Sequence, residues 1–351
     1  MDKRIVIMAG GTGGHVFPAL AVAQSLAEKG WQVSWLGTKK GLESRVVPEQ
    51  GIEIDWLAVG GIRGKGAAAK ISSILGLFKA CLQAGRILRK RKPHVVLGMG
   101  GFVAGPGGLM ARLLGIPLII HEQNRVPGTT NRLLAKMATR VLEAFPGSFN
   151  RNIEAVCTGN PLRKSFLQQP EKETGALPQV LRILVFGGSQ GAKILNEIVP
   201  EAMALLPEVE VRHQTGAAMR EQVAARYQEL SVNAEVTAFI EDMVAAYRWA
   251  DLVICRSGAM TVSEVAAMGV PAIFVPLPGA IDDHQVANAR FLADVGGGMI
   301  LLQKDLNAES LAEKITQART QVKTMAQAAR RCARLDATEA VAGFCMTEAK
   351  A

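Results

Sequence analysis

The chain of 351 residues is 49% apolar and 20% charged, ample for two hydrophobic cores, which excludes an intrinsically disordered protein. Five scattered cysteines (Cys81, Cys157, Cys255, Cys332 and Cys345) without a C-x-x-C pair exclude a disulfide scaffold and a zinc ribbon, and fit a reducing compartment. The formal net charge of +9 is concentrated: nine Lys and Arg fall between residues 60 and 94, in a window with no Asp or Glu.

The first predicted element is a strand over residues 4–8. It runs straight into Ala9-Gly-Gly-Thr-Gly-Gly-His15 and a helical pattern over 18–28. Only five apolar residues separate Arg4 from Gly10, too few for an export signal, so the chain reads as cytosolic. A glycine turn lets the backbone approach a phosphate, and the helix behind it supplies unpaired N–H groups and a partial positive charge. Thr12, Gly13 and Gly14 suit that use. The turn is neither a Walker A loop nor a dinucleotide fingerprint, since Gly14 is followed by His15 and Val16 without a third spaced glycine. His15 falls in the first helical turn, where the dipole favours a neutral imidazole, as a general base requires.

A strand over 32–36 precedes the basic window. Within that window Ile71, Ile74, Leu75, Phe78, Leu82 and Leu88 recur three and four apart, as on one side of a helix, with Leu77 outside the stripe. Three readings stay open. The helix is buried along its apolar side, with Arg89 to Lys92 at its negative end. Alternatively Lys70, Ile74, Leu75, Leu77, Phe78 and Lys79 belong to a surface resting on an anionic bilayer. A nucleic-acid face is the weakest, because Phe78 is the one aromatic among the charges.

Further strands are expected over 95–98, 117–121 and 140–142. The first leads into the glycine-rich stretch 98–108, which is too broken by six glycines and Pro106 to span a membrane. The second ends in His121-Glu-Gln-Asn124. Four polar residues at the end of a core strand point to hydrogen bonds with a polyhydroxylated ligand, and Glu122 is a second candidate base. The polar, turn-forming stretch 168–179 places a domain boundary between residues 157 and 180.

The second half repeats the opening. A strand over 182–186 runs into Gly187-Gly-Ser-Gln-Gly-Ala-Lys193 and a helix over 194–206, with Ser189 and Gln190 placed for phosphate contact. Strands follow over 210–213, 235–239, 252–255 and 272–275. Apolar strands alternating with helices imply an α/β chain of two Rossmann-like, doubly wound parallel sheets. The domains are expected at 1–160 and 161–336, with a last helix over 337–351 packing back on the first. Ligands gather at the C-terminal ends of such strands, so loops 10–15, 98–108, 187–193 and 256–264 are expected to face one crevice. In the last of these Ser257 reads as a helix N-cap, and Glu264 can accept both hydroxyls of a ribose. Asp282-Asp283-His284-Gln285 has no second His or Cys at ligand spacing, so no metal is expected.

Six segments in order carry a family resemblance: AGGTGGHVFPALAVA (9–23), GMGGFVAGP (98–106), HEQN (121–124), GNPLR (159–163), GGSQGA (187–192) and RSGAMTVSE (256–264). Together they resemble the MurG family, peptidoglycan transferases that add N-acetylglucosamine to lipid-linked muramyl-pentapeptide. The resemblance implies a bacterial chain with a GT-B fold, two Rossmann-like domains across a deep cleft, acting at the cytoplasmic face of the inner membrane. It implies that the C-terminal half holds UDP-N-acetylglucosamine and that no cofactor is needed. Ser189 and Arg163 would contact the diphosphate, Ile240 would lie by the uracil, and Glu264 would hold the ribose. Ala259, Met260, Thr261, Val262 and Ser263 would add contacts there, with Gln285 and Asn124 at the sugar. Thr12 to Gly14, Gly100 and Gly101 would face the acceptor diphosphate. His284 departs from the pattern, standing where a second glutamine is expected. Two rival functions share the architecture: a UDP-sugar epimerase, and a sugar-nucleotide or lipid-binding module without catalysis.

Overall fold

The computed structural model describes residues 3–59, 67–169, 179–188, 191–279 and 283–349, with side chains described throughout except over 67–74. The described residues form two parallel sheets. The first contains β1 (Arg4–Met8), β2 (Gln32–Gly37), β3 (Glu53–Trp56), β4 (Val95–Gly98), β5 (Leu118–Glu122), β6 (Arg140–Glu143) and β7 (Ala155–Cys157), ordered 3-2-1-4-5-6-7. The second contains β8 (Leu181–Phe186), β9 (Val209–Gln214), β10 (Ala234–Thr237), β11 (Leu252–Cys255), β12 (Ala272–Phe274) and β13 (Gly298–Ile300), ordered 10-9-8-11-12-13. Counted within its own sheet, each follows the doubly wound Rossmann order. Three short strands, β3, β7 and β13, extend the sheets beyond what the sequence pattern announced.

Both faces of each sheet are covered, which explains why the strands read as continuous apolar runs. Ile5, Ile7 and Ala9 of the first sheet pack with Val16, Ala19, Val22 and Leu26 of helix Gly13–Glu28. The same layer includes Val341, Ala342 and Cys345 of the final helix, Ala337–Glu348. On the opposite face Val6 and Met8 meet Ala84, Leu88, Ala104 and Ala111. Fully burying one Val, Leu or Ile side chain is worth about 1.5–3 kcal/mol, so each layer contributes many times the stability of any single polar contact.

In the second sheet Leu181, Ile183, Val185, Leu252 and Ile254 share a core with Leu195 and Val199 of helix Lys193–Ala204 and with Leu311 and Ile315 of helix Ala308–Arg331. That long helix begins with a capping box: Asn307 Oδ1 accepts from the Ser310 amide at 2.7 Å, and Ser310 Oγ accepts from the Asn307 amide at 3.0 Å. The chain divides into two compact units, residues 1–163 with 334–351, and residues 164–333.

The basic helix spans Ala67–Arg91. The described part of its apolar stripe is turned outward: Leu75 is 64%, Phe78 63% and Leu82 47% exposed, and Leu77 outside the stripe is 53% exposed. The expectation of a helix buried along that stripe is corrected here, with Leu88 as the one described stripe member that is buried. The inward face is made of Ala80, Ala84, Gly85 and Leu88, and a Cβ on Gly85 would lie 2.8 Å from Met110 Cε. Small residues let the helix lie close to its neighbour Ala104–Leu113, so the larger apolar side chains project elsewhere. Arg91 is tied to Asp55 at 2.6 Å and to Glu53, both on β3, whereas Lys79, Arg86, Arg89 and Lys90 are exposed. The side chains of Lys70 and Ile74 lie outside the described residues. No helix among the described residues is long and apolar enough to cross a membrane.

Candidate functional site

Strand order reverses between β1 and β4 in the first sheet and between β8 and β11 in the second, the two places where a doubly wound sheet opens a crevice. The four loops singled out from the sequence leave these four strands, as one pair in each unit.

In the first unit the glycines are required by close approach. Gly101 has φ +81°, and a Cβ there would lie 2.4 Å from the carbonyl oxygen of Gly10, so the loops after β1 and β4 touch backbone to backbone. Gly100 lies against the His15 ring, where a Cβ would come within 2.9 Å of Cε1 and Nδ1. Thr12 is the N-cap of helix Gly13–Glu28 through its backbone; its carbonyl accepts from the amides of His15 at 3.1 Å and Val16 at 3.2 Å, and its side chain makes no capping bond. Gly13 and Gly14 head that helix, where first-turn amides have no carbonyl within the helix to pair with. Glu43, fully buried, holds the loop from behind by accepting from the Gly11 amide at 2.9 Å and from the Thr38 amide and hydroxyl at 2.8 Å. Nothing in the sequence flagged Glu43, which stands 32 positions from the amide it holds.

His121, Glu122 and Gln123 of the HEQN segment are engaged within the protein. His15 Nδ1 lies 2.7 Å from Gln123 Oε1; Gln123 Nε2 lies 3.0 Å from His121 Nδ1; and His121 Nε2 lies 2.9 Å from the Gly159 carbonyl oxygen. His121 is fully buried, and loss of solvation pushes its pKa down to about 4. Glu122 is buried and accepts four hydrogen bonds, from the Asn124 amide (2.9 Å), Asn124 Nδ2 (3.2 Å), the Gly128 amide (3.1 Å) and Asn131 Nδ2 (2.9 Å). A carboxylate so enclosed, with both oxygens accepting from the protein, fixes the loop after β5. Asn124 is half-buried against it. Arg163 is exposed, with its guanidinium carbon 5.9 Å from the centre of the Phe17 ring, and it belongs to the first unit.

In the second unit Gly191, at φ +74°, would place a Cβ 2.0 Å from the Thr215 carbonyl oxygen, so the turn after β8 lies directly on the end of β9. Gln214 joins this turn to the next strand end: its Nε2 donates to the Gly188 carbonyl at 2.8 Å and its Oε1 accepts from the Ile240 amide at 3.0 Å. Ser189 and Gln190 lie outside the described residues. Ala259 to Ser263 form the first half of helix Ala259–Met268, whose N-cap is Gly258. Ser257 is therefore not the cap; its hydroxyl is buried without a hydrogen-bond partner. Glu264, in the same helix, accepts from the hydroxyl of the fully buried Tyr247 at 3.2 Å. Arg256 is taken up by the carbonyls of Val275 and Pro276 and by Gln303, at 3.0, 3.2 and 2.8 Å. Gln285 and His284 open helix His284–Ala293, and Gln285 Oε1 accepts from the Leu277 amide at 3.0 Å. Asp282 lies outside the described residues.

The glycosyltransferase family 28 N-terminal domain matches residues 5–143 and its C-terminal domain residues 182–342. A relative from Methylococcus capsulatus, named UDP-N-acetylglucosamine--N-acetylmuramyl-(pentapeptide) pyrophosphoryl-undecaprenol N-acetylglucosamine transferase, is 59% identical over 357 residues, covering 100% of both chains. The chain belongs to the MurG family of glycosyltransferase family 28. The crystal structure of Acinetobacter baumannii MurG superposes with a TM-score of 0.85 at 44% identity, covering 98% of this chain and 99% of that one. A Shewanella loihica relative with the same name is 49% identical, covering 98% of this chain and 97% of its own. The fold is thus the GT-B type, two Rossmann-like domains, and a MurG-family chain is a glycosyltransferase rather than an epimerase or a binding module.

Proposed function

We propose that the chain transfers N-acetylglucosamine from UDP-N-acetylglucosamine to the C4 hydroxyl of muramyl-pentapeptide carried on undecaprenyl diphosphate, inverting the anomeric carbon. The product is the lipid-linked disaccharide-pentapeptide of peptidoglycan synthesis, and through it the enzyme serves wall growth, cell shape and division. The observation that carries the reading is a histidine, His15, held by a side-chain hydrogen bond at the head of a helix where two glycine loops meet.

The acceptor O–H bond breaks as His15 takes the proton, the acceptor oxygen bonds to the anomeric carbon, and the bond from that carbon to UDP breaks. General-base assistance of this kind is worth about 10²–10⁴-fold. Negative charge growing on the departing diphosphate meets the turn after β8 and the head of helix Lys193–Ala204, with Ser189 and Arg163 as further contacts and no metal or cofactor in the step. Glu264, oriented by Tyr247, holds the ribose; Ile240 lies by the uracil; and Gln285 and Asn124 touch the sugar. Gly100, Gly101 and Thr12 to Gly14 receive the acceptor diphosphate.

The acceptor is anchored in lipid, and the outward apolar side chains of helix Ala67–Arg91 next to Lys79 and Arg86 suit a peripheral seat on an anionic leaflet. The test is UDP release with and without lipid-linked acceptor. Acceptor-dependent release and labelled sugar on lipid are expected. Release that ignores the acceptor, or an epimerised free sugar, would overturn the assignment. Replacing Leu75, Leu77 and Phe78 by Ser should abolish sedimentation with anionic vesicles while leaving turnover of a detergent-dispersed acceptor intact.

A further inference from the structure

The side chains behind His15 form a chain of hydrogen bonds that has one consistent set of proton positions. It starts at the Gly159 carbonyl, which can only accept, so the His121 nitrogen 2.9 Å away, Nε2, carries a hydrogen and donates it. His121 is fully buried and uncharged, which leaves its Nδ1 bare. A bare nitrogen needs a donor, and the Gln123 group facing it at 3.0 Å must be the amide nitrogen. The same nitrogen donates to the His121 carbonyl at 3.0 Å, so turning the amide over would set its oxygen against a carbonyl oxygen and a lone pair together. The Gln123 oxygen is therefore committed to His15, at 2.7 Å from Nδ1. A carbonyl oxygen accepts only, so His15 Nδ1 holds the hydrogen.

We infer that Gln123, itself fixed by His121 and the Gly159 carbonyl, is a positioning residue that holds His15 in the Nδ1–H tautomer and leaves Nε2 as the one nitrogen able to take the acceptor's proton. Gly100 completes the device, since any side chain there would press on Nδ1 and Cε1 and turn the ring. A neutral amide also differs from the carboxylate that backs many catalytic histidines. It orients the ring through a single neutral acceptor, the Gln123 oxygen. The inference rests on His15 being the base, yet its first test does not.

That test is the imidazole 15N spectrum of the full-length protein labelled at histidine, with the His15 signals assigned by their loss in His15→Asn. Wild type should show the Nδ1–H tautomer. Gln123→Leu, which removes the acceptor, should move His15 toward the Nε2–H form that an unconstrained histidine side chain prefers. An Nε2–H signal in wild type, or a tautomer untouched in Gln123→Leu, would overturn the inference whatever the kinetics. In steady-state assays Gln123→Leu should lower kcat by about 10²-fold, because a base with its hydrogen on the wrong nitrogen is silent, with KM for UDP-N-acetylglucosamine unchanged. Gln123→Glu should keep the tautomer and move the acid limb of the kcat profile to higher pH. An unchanged limb in that variant would refute the contact between the two side chains. Full activity in His15→Asn would remove the base assignment itself while leaving the tautomer result standing.

Discussion

Buried histidines make the stability of this chain depend on pH in a way that can be calculated. His213 is buried on β9, and loss of solvation pulls its pKa from 6.5 down to about 3. Its Nδ1 lies 3.0 Å from the Tyr227 hydroxyl, while Nε2 is buried without a partner. In the unfolded chain an ordinary imidazole takes up a proton as pH falls through 6.5, whereas the folded site stays neutral until about 3. The unfolded state thus binds more protons across that window, and stability falls as pH falls. For a drop from about pH 7 to about pH 5 the linkage relation gives a loss of about 2 kcal/mol from this one side chain. That is a substantial part of the about 5–15 kcal/mol by which a domain is stable. The second unit has one tryptophan, Trp249, stacked under Arg212 with the guanidinium carbon 4.3 Å from the ring centre, so a 5-fluorotryptophan label reports this unit by a single 19F line. Urea titrations of that line at the two pH values should show wild type losing about 2 kcal/mol more than His213→Gln, which keeps an amide for Tyr227 but cannot titrate. Equal losses in the two proteins would refute the claim that a neutral, unsolvated imidazole sits at this position.

Gly101→Ala and Gly115→Ala both force a side chain into the left-handed region, at φ +81° and +69°, but a Cβ meets the Gly10 backbone in the first and nothing within 4 Å in the second. Thermal denaturation should show about 1 kcal/mol lost at Gly115 and clearly more at Gly101, with kcat reduced only at Gly101; matching losses would deny the loop contact. Glu122→Gln leaves donors unmatched and should cost about 1–3 kcal/mol of stability while the shape of the kcat–pH profile is retained. Disappearance of a limb of that profile would assign the base to Glu122. Tyr247→Phe removes the hydroxyl that orients Glu264 and should raise KM for UDP-N-acetylglucosamine about fivefold at unchanged kcat, a loss of about 1 kcal/mol; an unmoved KM would separate Glu264 from donor binding.

The strands that carry the glycine loops were readable because both faces of a parallel sheet are buried and their sequences are continuously apolar. The unannounced strands β3, β7 and β13 are three or four residues long with mostly half-covered side chains, so no apolar run marks them. On helix Ala67–Arg91 the periodicity gave the helix but not its inward side, because Ala80, Ala84 and Gly85 carry the packing and small residues weigh little in an apolar count. The HEQN segment was legible as a polar anomaly at a strand end. Its partners include Asn131, the Gly159 carbonyl and His15, the last 108 positions away, so its inward contacts became visible only with the fold. Glu43 was hidden for the same reason, a buried acid whose donors, two backbone amides and the Thr38 hydroxyl, no motif records.

The last helix, Ala337–Glu348, contributes Val341, Ala342 and Cys345 to the layer over β1 and β4. During translation, then, residues 1–163 are made before 164–333 but are completed only after it. That layer lacks Val341, Ala342 and Cys345 until helix Ala337–Glu348 has been made, after the whole of 164–333, whereas the middle portion is one uninterrupted stretch that can finish beforehand. The unit that carries His15 is begun before the middle one and closed after it.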